Sequence, residues 1–284
     1  MRRLVVTLTL ALGLLPLAAA AQAPAPATAP APARNPLLDP DRPFRPLQPD
    51  FSIVNLPTTL RMPLHRSSFR VTHRFNRTLG GGDFGDLASD AFGFDSGAQI
   101  GLEYRFGVAP GFYAGIARTS DKTIEFQGHG SLARQGETSP VGLDVVVAID
   151  GSDNFSEEFS PGVGFIISRE ITNVGSVYLQ PYWVGNVNIF EPFIDADDNA
   201  ILLGLGGRFR IRPTVYLVGE FVPRLTGYDA GTHLGTFGIE KRSGGHAFQI
   251  NFSNGTGTLL SQLARGGTGS EDWYIGFSIS RKFF

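Results

Sequence analysis

The end of the chain constrains its fold more than any other feature. Between residues 272 and 284, Trp273, Ile275, Phe277, Ile279 and Phe283 fall on one face, and Tyr274, Gly276, Ser278, Ser280 and Lys282 on the other. That is the period-2 alternation of a β-strand. An apolar strand running to the terminus, opposite an export signal at the other end, reads as the closing strand of a transmembrane β-barrel, with one face in lipid and the other in the lumen.

The export signal consists of Arg2 and Arg3, an apolar run over residues 4–15, Pro16, and small residues ending in Ala19, Ala20 and Ala21. Cleavage is expected before Gln22. Beyond it no stretch reaches the roughly 18 apolar residues that a spanning helix needs. The remaining way across a bilayer is a closed barrel, in which backbone N–H and C=O groups pair between strands.

The chain has no cysteine, which excludes disulfides, thiolate metal sites and thiol nucleophiles. Without Arg2 and Arg3 the 24 basic residues become 22 against 26 acidic, a formal charge of −4. No Lys/Arg block or stripe offers a nucleic-acid footprint. Hydropathy near zero with 36 glycines and 23 phenylalanines suits strands that alternate between two solvents. A soluble sandwich shares part of that profile.

The sequence divides into a signal peptide (1–21), an Ala/Pro-rich linker (22–34), an irregular periplasmic segment (35–66) and a β-barrel (67–284). The linker alternates Ala and Pro and is read as an extended tether that buries no core. Residues 35–66 mix Leu, Phe and Ile with recurrent prolines and are expected to pack under or into the barrel mouth. From residue 67, alternating segments separated by Gly, Asp, Asn, Ser or Pro predict strands over 68–77, 96–106, 111–119, 122–134, 141–150, 161–170, 177–189, 200–211, 214–223, 233–242, 246–252 and 272–283. The expected fold is therefore all-β, an antiparallel transmembrane barrel of about twelve strands, with ten as the alternative count. Tight turns are expected at Ala109-Pro110, Ser120-Asp121 and Arg212-Pro213. Short helices are expected in the long connections, over 83–91 and 258–264.

Several strands carry one continuously apolar face, such as Leu143, Val145, Val147 and Ile149, or Ile201, Leu203, Leu205 and Phe209. The opposite faces would bring Arg70, Arg74, Arg105, Arg208, Arg210 and Arg242 together with Glu103, Glu125, Asp144, Glu220 and Glu240 in the lumen. Such groups tolerate a low-dielectric interior only when paired and hydrogen-bonded. Pairing of Arg105, Arg208 and Arg210 with Glu103, Asp144 or Glu220 is expected. A near-neutral network of this kind argues for a partly occluded interior.

SFRVTHRFNRTLGGGDFGDL and DSGAQIGLEYRFG, at residues 68–87 and 95–107, and HAFQINFSNGTGT and DWYIGFSISRKFF, at 246–258 and 272–284, resemble an uncharacterised family of bacterial outer-membrane β-barrel proteins, a domain of unknown function. NLPTT at 55–59 fits as well. The resemblance implies a barrel and a membrane address, and no established substrate.

Motifs that could carry chemistry read as structural. Ser253-Asn254-Gly255 invites comparison with outer-membrane phospholipases, but Asn251 stands where the general-base His is required and His246 lies too far upstream. A serine without a base is a poor nucleophile, so no catalytic residue is assigned. Gly80, Gly82 and Gly85 match a dinucleotide fingerprint without its parallel strand and long helix. Asp195, Asp197, Asp198 and Asn199 resemble the start of a calcium loop, yet Ala200 replaces the turn glycine and Gly206 the bidentate Glu. No metal site is assigned among His65, His73, His129, His233 and His246, and no cofactor.

The sequence thus predicts a monomeric outer-membrane barrel, partnered by the lipid bilayer and by the barrel-assembly machinery, in small-molecule passage or docking. A membrane-embedded hydrolase and a structural or assembly barrel with a plugged lumen are the alternatives. The protein is expected to fractionate with outer membranes and to show heat-modifiable gel mobility; recovery as a soluble periplasmic protein would end the barrel reading.

Overall fold

The computed structural model describes residues 48–136, 139–189 and 193–284. The signal peptide, the Ala/Pro linker and the first part of the irregular segment lie outside the described residues. The strands are β1 (Ser67–Phe75), β2 (Ala98–Ala109), β3 (Phe112–Thr119), β4 (Ile124–Ala133), β5 (Gly142–Gly151), β6 (Glu157–Ile171), β7 (Gly175–Val184), β8 (Ala200–Arg212), β9 (Val215–Val222), β10 (Arg224–Gly227), β11 (Leu234–Ser243), β12 (His246–Ser253) and β13 (Tyr274–Lys282). Twelve of them form a closed antiparallel ring, sealed where β13 pairs with β1 over Ser68↔Lys282 to Arg74↔Gly276.

β10 stands outside the ring count. The strand expected over 214–223 ends at Val222, because Pro223 has no N–H to give the ladder. The chain resumes in β10, which pairs with β8 alone. The strand expected over 177–189 stops at Val184. Short helices form at Phe84–Ser89, where Asp83 and Asp86 make a reciprocal capping box, and at Leu260–Arg265.

Alternation sets the two faces. On β5, Leu143, Val145, Val147 and Ile149 turn outward, while Asp144, Val146 and Asp150 are buried. On β6, Phe159, Val163 and Phe165 are exposed, and Ser160, Ile166 and Ser168 face inward. The exposed side chains form an apolar, aromatic-rich band around the ring, including Tyr104, Phe112, Phe126, Trp183, Phe209, Phe221 and Phe237, the outer surface of a membrane barrel.

The mouths differ. β1 begins and β13 finishes at one mouth, the terminal mouth, where residues 110–111, 134–141, 172–174, 213–214 and 244–245 connect the strands. The far mouth carries longer connections, chiefly 76–97, 185–199 and 254–273.

The closing strand keeps a continuous register with both β1 and β12 and contains no bulge. Tyr274, Ser278 and Ser280 are buried inward, whereas Ile279 and Phe283 are exposed and Trp273, Ile275 and Phe277 half-buried on the outer face. Phe283 hydrogen-bonds its N–H to the Ser67 carbonyl at 2.9 Å, so it still belongs to the seam. Phe284 takes the opposite phase, with its ring 6.4 Å from that of Phe51. Phe283→Ala should therefore reduce assembled, heat-modifiable barrel more than Phe284→Ala in a folding assay into vesicles. Greater sensitivity of Phe284 would assign the terminal aromatic role to the inward phase.

Candidate functional site in the barrel lumen

The lumen is filled by two segments of the same chain. From the terminal mouth, residues 48–62 enter as a hairpin, with Ile53 donating to the Leu56 carbonyl at 2.8 Å and Thr58 to the Phe51 carbonyl at 2.9 Å. Phe51, Ile53, Val54, Leu56 and Met62 are buried. From the far mouth, the β12–β13 connection dips inward, burying Leu259 at the start of the short helix and Leu263 and Ala264 within it. Ile53, Val54, Leu56, Leu263 and Ala264 join one apolar cluster with Val146, Ile166, Tyr178, Tyr182 and Leu202 of the wall. Between the two inserts lies a cavity of about 60 Å³ touched by Arg70, Glu103, Arg105, Glu125, Tyr182 and Thr258.

Ten of the eleven charged residues expected in the lumen turn inward, although their partners differ from expectation. Arg105 pairs with Glu103 at 2.6 Å, as the spacing suggests. Arg208 pairs with Glu240 at 2.8 Å and not with Asp144 or Glu220. Asp144 accepts from His129, whose other ring nitrogen meets Tyr113 Oη, both contacts at 2.7 Å. Arg210 departs from the network: at the terminal mouth it reaches the Asn173 carbonyl at 2.9 Å, because β8 extends past the turn that joins β6 to β7. Arg242 is buried on β11.

The remaining groups hold the inserts. One Glu220 oxygen accepts the backbone N–H groups of Val54, Asn55 and Leu56 at 2.6, 2.8 and 2.8 Å. Arg208 also donates to the Ser52 carbonyl at 2.7 Å, Gln249 to that of Ile53 at 2.8 Å, Gln180 to that of Pro57 at 2.9 Å, and Arg70 to that of Val54. Arg105 reaches Ser52 Oγ at 2.8 Å. On the far side, Arg74 donates to the Gly255 and Gly257 carbonyls at 3.0 and 3.2 Å, and Glu125 accepts the Leu260 N–H at 2.9 Å. Hydrogen bonds to charged partners contribute about 1.5–3 kcal/mol each, and here they satisfy wall and insert together.

Glycines shape the wall to the hairpin. A Cβ on Gly206 would lie 2.3 Å from Ile53 Cδ1, and one on Gly204 3.0 Å from a Leu56 methyl. On β2, a Cβ on Gly107 would lie 2.3 Å from the Pro63 carbonyl oxygen, so only glycine lets the outgoing leg pass.

Other sequence features resolve into local structure. Ser253 is buried at the end of β12, bonded to Thr236 Oγ1 at 3.1 Å and the Gly255 N–H at 3.3 Å. Asn251 bonds Arg74 at 3.0 Å and Gln249 at 3.2 Å, while His246 lies at the opposite end of β12, beside Arg281. Asp195, Asp197 and Asp198 are exposed, and among the described residues no group of His, Asp and Glu could hold a metal. Alternation places Gln180, His129 and Asp144 on the inward faces, but it does not single out Gln249 as a hairpin ligand or link Tyr113, His129 and Asp144 into one hydrogen-bonded chain. It also missed the depth of the hairpin, which Phe51, Ile53, Val54 and Leu56 signal as an apolar cluster in an otherwise proline-broken segment.

The membrane bound beta barrel domain of unknown function (DUF5777) matches residues 50–283, and the chain belongs to that family. The match takes in the hairpin as well as the ring. No curated protein matches the sequence. Among solved structures, the NanC porin is similar in fold, with a TM-score of 0.50 at 8% identity, covering 77% of this chain and 99% of the porin. The KdgM porin in complex with disordered oligogalacturonate gives 0.48 at 7% identity, covering 76% and 99%. The outer membrane protein Omp33 of Acinetobacter baumannii gives 0.46 at 8% identity, covering 77% and 98%.

Truncating one partner of a buried pair strands the other's charge, at a cost of about 3–5 kcal/mol. Arg208→Met should therefore lower barrel stability by that order in denaturant titrations in micelles, and adding Glu240→Leu should recover most of the loss. Equal destabilisation by the single and double variants would show that Arg208 acts through the hairpin carbonyls alone.

Proposed function

We propose that the chain is a non-catalytic outer-membrane barrel that passes small polar solutes, with residues 48–62 as its gate. The observation that carries this reading is the route of the hairpin. Gln48 bonds Glu170 at 2.7 Å and Thr59 bonds Ser168 at 2.5 Å, both at the terminal mouth, so the hairpin goes in and out by one opening. It can withdraw as a unit without any chain end being threaded through the ring.

Wall composition supports a gate over a permanent plug. A buried ion pair is generally no more stabilising than apolar residues of the same volume, so a lumen built only to be filled would gain from an apolar lining. The part facing the hairpin is lined by Arg70, Gln180, Arg208, Glu220 and Gln249, groups that water can solvate once the hairpin leaves. Five guanidinium groups, those of Arg70, Arg74, Arg105, Arg208 and Arg242, face the carboxylates of Glu103, Glu125, Asp144, Glu220 and Glu240. That balance favours neutral or zwitterionic solutes over polyanions. The insert over 254–271 stays across the far side and restricts passage to small molecules. The hydrolase alternative lacks a base beside Ser253, whose bonds go to Thr236 and Gly255.

Planar-bilayer recording tests the gate. The full chain is expected to be closed, and a variant lacking residues 48–60 to carry steady current while keeping heat-modifiable mobility. Silence from both proteins would favour the structural barrel, and equal current from both would remove the hairpin from gating.

A further inference from the structure

We infer that the lumen is a peptide-binding site, occupied in the closed state by the chain's own hairpin, and that its cargo is a short peptide with apolar side chains. The inference rests on the gated-passage reading and names the class of solute.

Over residues 52–57, the part of the hairpin deepest in the lumen, wall side chains bond the main chain more than the side chains. Arg208, Gln249, Arg70 and Gln180 donate to the carbonyls of Ser52, Ile53, Val54 and Pro57, and Glu220 takes three consecutive amides. These donors and acceptors come from β1, β7, β8, β9 and β12, so the grip is spread around the ring. Polar side-chain contacts over the same residues are fewer: Arg105 donates to Ser52 Oγ at 2.8 Å, and Asn55 Nδ2 lies 3.3 Å from Glu220 and 3.5 Å from Thr236. A site that binds amides and carbonyls while leaving side chains to apolar niches recognises a peptide of loose sequence. A saccharide's hydroxyls can also donate to a carboxylate, but it lacks the regular alternation of N–H and C=O along one chain that Glu220 and the carbonyl-binding donors meet here.

The niches give the second half of the specificity. Gly204 and Gly206 leave room on β8 that Leu56 and Ile53 fill, and Val146, Ile166 and Leu202 complete an apolar surround. A third observation points beyond the hairpin. Arg208 Nε and Nη1 and Arg105 Nε are buried without a hydrogen-bond partner among the described residues. The wall thus carries donors that the hairpin does not use and that a peptide with different carbonyl spacing can take.

The test uses the barrel lacking residues 48–60 and four probes. These are a synthetic peptide of residues 48–60, the same peptide N-methylated at Val54, Asn55 and Leu56, a peptide with other aliphatic residues at 53, 54 and 56, and maltohexaose. Current block is expected from the first and third at concentrations within tenfold of each other, with at least tenfold weaker block by the methylated peptide and none by the saccharide. Block by the native sequence alone would make the hairpin a private plug, and block by maltohexaose at similar concentration would remove peptide selectivity. Should the shortened barrel fold but carry no current, the passage reading fails, and anisotropy of the labelled peptides in micelles still decides the peptide site. Should it not fold, Ile53→Asp in the full chain expels the hairpin and leaves the wall intact for the same four probes.

Discussion

The rest of the structure depends on how a narrow, water-poor lumen accommodates charge. A carboxylate or guanidinium removed from water costs several kcal/mol unless nearby groups replace the lost hydration. Glu220 shows the solution adopted here: three backbone N–H groups converge on one of its oxygens. In the closed, water-poor state the hairpin needs the wall for its amides and carbonyls, and the wall needs the hairpin for its charges. Neither surface is complete alone, which is why strand registers, inward glycines and charged positions all conform to one inserted segment.

This mutual dependence explains which parts of the molecule were legible in the sequence. The twelve ring strands follow from period-2 alternation, and the outward faces from continuous apolar runs, because both are local patterns repeated along each strand. Lys/Arg and Asp/Glu on the opposite faces mark the lumen for the same reason. The partners were not legible, since Arg208 with Glu240 and Glu220 with Val54 join residues far apart in sequence through ring closure. Pairing the charges only with one another leaves out the backbone of residues 52–57, which Glu220 binds and which Arg208 binds in addition to Glu240. Arg210 illustrates a smaller failure, in which correct phase along a strand says nothing about whether the position lies inside the ring or at its rim.

The Tyr113–His129–Asp144 chain extends the same logic to an imidazole. His129 bridges β3 and β5 through both ring nitrogens, and the Tyr113 ring packs edge-on against Phe51 at 5.6 Å. Arg105 lies 5.7 Å from the Phe51 ring centre and 6.0 Å from that of Tyr113. The base of the hairpin thus rests on an aromatic and cationic seat, while its tip is held by hydrogen bonds.

The order of synthesis gives this arrangement a further meaning. The hairpin leaves the ribosome before any strand of the ring, and its contacts span β1 to β13, ending with Ser280 on Asp50 at 2.6 Å and Lys282 on the Pro49 carbonyl at 2.5 Å. A partly built sheet can offer only a fraction of those partners. A segment made before every strand of the ring is therefore the last to be satisfied, and its docking reports that the seam between β13 and β1 has closed.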